Sequence, residues 1–174
     1  MNSKQSGWKA GHNRYFDGKT LEEIEYLMGA IPSTEDRKLP LKDISPLENI
    51  PTEFFSADKW PLCESIQEIR DQSACGSCWA FGAVEVISDR ICIASGQKLQ
   101  VRISSEDLLA CCGWCGYGCG GGYITNAMNH WYKPGIVTGW LYNNKDWCQP
   151  YSFPPCDHHE SGRYEPCGKT NPTP

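Results

Sequence analysis

All eleven cysteines of this 174-residue chain lie between Cys63 and Cys167, and their number is odd. That density belongs to an oxidising compartment, where a small chain is stapled by disulfides. An odd count leaves at least one thiol over, and in an exported protein such a thiol is either reactive or without its partner. The first 49 residues contain no cysteine, which marks a composition boundary near Ile50. A net charge of -5 provides no polybasic surface, so nucleic acid is not an expected partner. No apolar run approaches a membrane span. The start, "MNSKQSGWKAGHN", lacks the apolar core of a leader, so the leader of an exported chain is expected upstream. No Asn-x-Ser/Thr acceptor occurs, because Pro172 follows Asn171.

Before the boundary, "TLEEIEYLMGA" places Leu21, Ile24, Leu27 and Met28 on one helical face, and a polar, proline-bearing run follows. This reads as a detachable arm or a flexible tail. Beyond it, Phe81, Val84, Ile87, Ser88 and Ile91 recur at helical steps from Cys78. Ser104 with Asp107 opens a second helix in the manner of a capping box. Ile124, Ala127, Met128 and Trp131 predict a third, stopped by Pro134-Gly135. From Gly135 onward the composition is that of irregular loop.

The stretch "QSACGSCWAFGAVEVISDR", Gln72 to Arg90, is the most informative. Cys78 falls at a helix start, where free backbone N–H groups and the helix dipole favour an anion. Cys75 lies in the preceding turn without that advantage. The Gln72 side-chain amide could join the Cys78 N–H in holding an oxyanion. An ordinary structural or redox Cys-x-x-Cys pair is the competing reading.

"CGSCWAFGAVE" resembles the signature around the nucleophile of papain-like cysteine peptidases. Several separate blocks extend the resemblance, with the cathepsin B branch the nearest fit. They are "WKAGHN", "SSEDLLACCG", "GCGGGY" and "PYSFPPCDHHESGRYEPC". The resemblance implies an α+β, papain-like fold: mainly its helical, disulfide-rich L-domain half (50–174, with an occluding loop at 156–167), preceded by a partial, inhibitory propeptide at 1–49. Processing is expected near Ile50.

By the same resemblance, Cys78 is the nucleophile and Gln72 the oxyanion donor, with Trp79 packed beside the thiol. Gly121 and Gly122 bind an extended substrate backbone. His158 and His159 take a substrate's terminal carboxylate, giving dipeptidyl carboxypeptidase as well as endopeptidase action, and Asp71 is the ion-pair partner of His158. The implied disulfides are Cys63–Cys92, Cys75–Cys119, Cys112–Cys115 and Cys156–Cys167. Cys111 and Cys148 are left with partners expected further downstream. There are four departures from the family pattern: Ser73-Ala74 stand for glycine-serine, Gly120 for asparagine, Ile124 for proline, and Arg163 is displaced by one position.

Peptide and protein substrates, the chain's own propeptide as inhibitor, and a lysosomal or extracellular setting follow from the resemblance. No cofactor, metal, nucleic acid or membrane is implied. The family's histidine and asparagine fall roughly 130 to 150 residues after the cysteine, whereas 96 residues follow Cys78. Both are therefore expected beyond Pro174. Of the histidines present, His12 lies in the arm and His130 reads as a partly exposed helix residue. The chain alone is accordingly expected to be inactive. A non-catalytic decoy or binding remnant, and a zinc module using "CCGWC", "CGYGC" and "DHH", are the alternatives; the spacings suit disulfides better.

Overall fold

Seventeen residues from Cys78 to Ala94 form the longest helix among the described residues and contribute six of the thirteen residues of the buried core cluster. A computed structural model describes residues 7, 9–12, 14–25, 28–34, 38–42, 50–157 and 162–167. Its α-helices are α1 (Leu21–Glu25), α2 (Ser56–Lys59), α3 (Cys78–Ala94), α4 (Ser105–Cys111) and α5 (Ile124–Tyr132). Short 3-10 turns lie at Arg14–Phe16, Glu64–Gln67 and Gly118–Gly120. Among the described residues β structure is confined to isolated bridges, and no helix is long and apolar enough to cross a membrane.

The spacing along α3 sets its packing. Phe81, Val84, Ile87 and Ser88 are buried on one side, Ile91 packs partly against them, and Ala80 and Ala83 allow close approach. Leu108 and Leu109 of α4 and Ala127 of α5 close over this face. Burying a side chain such as Ile87 or Leu108 stabilises the fold by about 1.5–3 kcal/mol, and Leu108→Ala would cost about 2–5 kcal/mol. Ser88 is satisfied in this core: its hydroxyl donates to Val84 O at 2.7 Å and accepts from Ile103 N at 3.1 Å.

Capping explains where α4 begins. Ser104 Oγ accepts from Asp107 N at 3.0 Å, and the Asp107 carboxylate, in the first turn, also accepts from Val137 N at 3.0 Å. α5 stops two residues before Pro134, and Gly135 follows in the left-handed region at φ 91°.

Two helices differ from expectation. α1 spans five residues, with Leu21 and Met28 exposed and Ile24 half-buried; Leu27 lies outside the described residues. On α5 the buried residues are Asn126, Ala127 and His130, while Ile124 and Trp131 are exposed. His130 is therefore buried, not partly exposed. Asn126 tolerates the interior because its Nδ2 donates to Trp114 O at 2.8 Å.

Disulfides join Cys63–Cys92, Cys75–Cys119, Cys112–Cys115 and Cys156–Cys167. The first ties the Glu64–Gln67 turn to the last turns of α3; the second ties the loop before α3 to the Gly118–Gly120 turn. Closing a loop of 44 residues, as Cys75–Cys119 does, removes about 4 kcal/mol of unfolded-chain entropy. Beside this frame, Arg102 pairs with Glu68 and Glu64, and the guanidinium groups of Arg102 and Arg70 lie over Trp140 at 4.6 and 5.5 Å. Arg70 also donates to Ile103 O at 3.1 Å, anchoring the start of the loop that leads to Cys78.

Candidate functional site

The loop from Arg70 to Ser77 delivers Cys78 to the first position of α3. Its course is held by a buried phenol. Tyr151 OH donates to Gln72 O at 2.8 Å, so its single proton is committed and Ser77 Oγ, 3.0 Å away, must donate to it. Burial, with Glu106 and Asp71 nearby, pushes the Tyr151 hydroxyl well above its ordinary value, against the smaller opposing effect of Ser77. Tyr151 therefore stays a neutral donor. Its ring meets Phe81 and Phe153 edge-on at 4.9 and 5.4 Å.

Ser77 thus gives its side chain to Tyr151 and does not cap α3. Uncapped first-turn N–H groups suit an anion. Cys78 is half-buried and carries a free thiol, as do the exposed Cys111 and Cys148. The Cys111 thiol is pushed up, first by its hydrogen bond to the Asp107 carboxylate and then by desolvation.

Within the loop, Asp71 Oδ1 accepts from Ser73 N at 2.6 Å. Ser73 adopts φ 58°, a left-handed conformation that glycine adopts more cheaply. Ser73 Oγ stands 3.5 Å from Cys156 Sγ, so the loop before α3 touches the base of the 156–167 loop. There Asp157 Oδ2 accepts from Gly162 N at 2.8 Å and Tyr164 N at 3.0 Å. An open cleft between the two loops is lined by Asp71, Gln72, Tyr142, Phe153 and Tyr164. His158 and His159 lie outside the described residues.

The other wall is the glycine turn. Trp79 is enclosed, its Nε1 donating to Gly118 O at 3.1 Å. Gly122 lies against the ring so closely that a Cβ would sit 2.6 Å from Trp79 Cδ2 and 2.9 Å from Cys115 O. Gly121 takes φ 102°. Only glycine satisfies both positions.

A segment of the chain's own arm occupies the groove between Cys78 and this turn. Gly29 is buried there, and its N–H donates to Cys78 Sγ at 3.2 Å. Gly122 N donates to Gly29 O at 2.7 Å and Ile31 N to Gly122 O at 2.9 Å, forming a parallel bridge at Ala30. Ser33 Oγ meets Thr125 Oγ1 at 2.7 Å. What faces the sulfur is thus an amide N–H, not a carbonyl carbon, and a thiol cannot acylate itself on it. Among the described histidines, His12 pairs with Asp17 and His130 lies against Trp114 at 5.7 Å; neither hydrogen-bonds to Cys78.

Cys78 is thus a free thiol at a helix start, walled by a glycine turn and covered by an extended segment of the arm. Residues 51–172 match the papain family cysteine protease model, and residues 1–34 match the peptidase family C1 propeptide model. The chain belongs to the papain family of cysteine proteases. It is 48% identical over 167 residues to a cathepsin B-like cysteine proteinase of Schistosoma japonicum, covering 94% of this chain and 48% of that protein. It is 47% identical over 174 residues to cathepsin B-like cysteine proteinase 6 of Caenorhabditis elegans, covering 96% of this chain and 46% of that protein. The fold is similar to that of procathepsin B S9 from Trypanosoma congolense, with TM-score 0.68 and 38% identity over 89% of this chain and 51% of that one. The chain spans about half the length of the curated relatives it matches.

Sequence reasoning alone missed Tyr151 and Gly29. Tyr151 stands among prolines and aromatics 73 residues after Cys78, with no periodicity to mark it. Gly29 sits at the end of an apparent helix, and only its buried, close-packed environment reveals what it does.

Proposed function

We propose that the chain is the nucleophile-bearing half of a cathepsin B-like peptidase held as its proform, with residues 28–34 as the blocking segment. The observation that carries this reading is the Gly29 N–H on Cys78 Sγ together with the Gly29–Gly122–Ile31 backbone ladder. With the arm withdrawn, a peptide's extended backbone takes its place along Gly121 and Gly122. Cys78 Sγ attacks the carbonyl carbon, and the Cys78 N–H and the Gln72 amide receive the oxyanion. Trp79 acts as a positioning residue beneath Gly122. The leaving amine departs with a proton, and water releases the acyl group from sulfur.

His158 and His159, on the loop closed by Cys156–Cys167 and held from Asp71, would receive a terminal carboxylate and add dipeptidyl carboxypeptidase action. The arm ends near residue 49, with processing near Ile50, and the working compartment is lysosomal or extracellular.

Proton transfer needs an imidazole beside the thiol. Loss of one member of such a unit typically lowers the rate by about four to six powers of ten. The purified 174-residue chain should show no turnover of a fluorogenic peptide. The same chain extended past Pro174 with the histidine- and asparagine-bearing half of a cathepsin B-like relative should hydrolyse it once the arm is removed. Cys78→Ala should abolish that activity; equal hydrolysis by the Ala variant would overturn the assignment.

A further inference from the structure

We infer that Cys112, Cys115 and His130 form a redox-gated zinc site, in which reduction of the disulfide frees two thiolates that bind one zinc ion together with the His130 imidazole. Candidate ligand atoms of the three residues lie within 4.8 Å of one another, and all three residues are buried. His130 is 9% exposed, and its Nδ1 has no hydrogen-bond partner. A buried polar nitrogen left unpaired costs about 1–3 kcal/mol, and a lone pair without a donor is what a metal can use.

The spacing agrees. Cys112-x-x-Cys115 followed by fourteen residues and His130 reproduces the first three ligands of the Cys-x-x-Cys, His zinc pattern. A second histidine three to five residues on would complete that pattern, but Pro134, Gly135 and Ile136 stand there. The fourth position falls to water, as in open three-ligand sites.

The cysteine turn is held without the sulfur-sulfur bond. Cys115 N donates to Cys112 O at 3.0 Å, Tyr123 N to Cys115 O at 2.8 Å, and Asn126 Nδ2 to Trp114 O at 2.8 Å. Tetrahedral zinc, with Zn–S about 2.3 Å and Zn–N about 2.0–2.1 Å, needs ligand atoms roughly 3.5–3.8 Å apart. Side-chain rotation within this turn can reach that separation. Cys111, though adjacent, is exposed and hydrogen-bonded to Asp107, so it stays outside the trio. Chemically, two molecules of a small thiol break the Cys112–Cys115 bond and leave as their own disulfide, giving two protein thiols. Zinc then enters, each cysteine thiol loses its proton to solvent, and neutral His130 supplies a nitrogen lone pair.

The test uses the full chain treated with reduced glutathione under nitrogen, desalted, and titrated with cobalt(II) and then zinc at neutral pH. Differential alkylation with mass spectrometry identifies the opened disulfide. The reduced protein should take one cobalt per chain, with thiolate charge-transfer and tetrahedral d–d bands that one equivalent of zinc abolishes; the oxidised protein should take none. His130→Phe should weaken binding about 100-fold or more, and Cys111→Ser should leave it unchanged. Equal binding by His130→Phe, or loss of binding in Cys111→Ser, would overturn the site. So would failure of a still helical protein to open Cys112–Cys115 or to bind cobalt once it is open.

Discussion

Gly29 and Cys78 are 49 residues apart in the chain, and the glycine's N–H meets the cysteine's sulfur at 3.2 Å. The approach is possible because residue 29 has no side chain: a Cβ there would stand 1.9 Å from Gly76 O and 3.1 Å from Ser77 N. These are backbone atoms next to the disulfide-bonded Cys75, and they cannot yield. The blocking segment is therefore keyed to the groove by one glycine, between a sulfur it covers and a turn it pairs with.

Gly29→Val should lift the segment from the groove. In a Cys111→Ser/Cys148→Ser background, alkylation of Cys78 by iodoacetamide should quicken about tenfold or more, the equivalent of roughly 1.4 kcal/mol of lost cover. An unchanged rate, with the disulfides intact, would show that the arm does not control access to the thiol.

Ser73 offers a test of backbone conformation. At φ 58° a non-glycine residue pays about 1–2 kcal/mol, while glycine costs about 0.4–1 kcal/mol through the freer unfolded chain. The difference favours glycine, so Ser73→Gly should be neutral to stabilising by up to about 1.5 kcal/mol. Ser73→Val, buried and β-branched in a left-handed site, should cost about 2 kcal/mol or more. Urea unfolding of both variants decides this, and equal stabilities would contradict the conformation.

How much of this was legible before the structure depended on how local each determinant is. The start of α3 at Cys78, the Ser104–Asp107 cap and the stop before Pro134 are written in residues a few positions apart. The buried face of α5 was not legible, because Trp114 and the Cys112–Cys115 turn, brought from outside the helix, select Asn126 and His130 over Ile124 and Trp131. The arm's α1 reads as amphipathic yet buries none of its residues; its partner in the groove is backbone, which leaves no hydrophobic pattern. Tyr151 reaches Gln72 and Ser77 across more than seventy residues, a relation that no spacing rule can anticipate.

Cys111 carries the pH-dependent prediction. Its hydrogen bond to Asp107, then desolvation, raises its thiol above the ordinary value, and Gln149 opposes this only in part. The thiolate fraction in the folded protein is therefore smaller than in the unfolded chain by a constant factor below the ordinary value, and the two converge only above the folded value. In a Cys78→Ser/Cys148→Ser background, alkylation near pH 8 should be slower in native buffer than in concentrated urea. Its pH-rate inflection should lie higher in the native state, and Asp107→Asn should lower it. Coincident inflections would remove Asp107 as the cause.

The glycine turn separates two neighbouring positions by what a side chain would meet. At Gly120 a Cβ finds only Tyr117 Cβ, at an ordinary 3.4 Å, and the residue is exposed. Gly120→Asn should therefore be tolerated, with a gain of about 0.4–1 kcal/mol from the stiffer unfolded chain. At Gly122 the same atom collides with the Trp79 ring at 2.6 Å and Cys115 O at 2.9 Å. Trp79 cannot turn aside, because it is enclosed in the core and bonded to Gly118 O. Gly122→Ala should cost about 1–3 kcal/mol. It should also loosen the backbone pairing with Gly29 and Ile31, so Cys78 should alkylate faster than in the parent or in Gly120→Asn. Thermal unfolding and thiol labelling on the same samples give both readings. A Gly122→Ala variant as stable and as slowly labelled as Gly120→Asn would mean that Trp79 does not hold the turn against the arm.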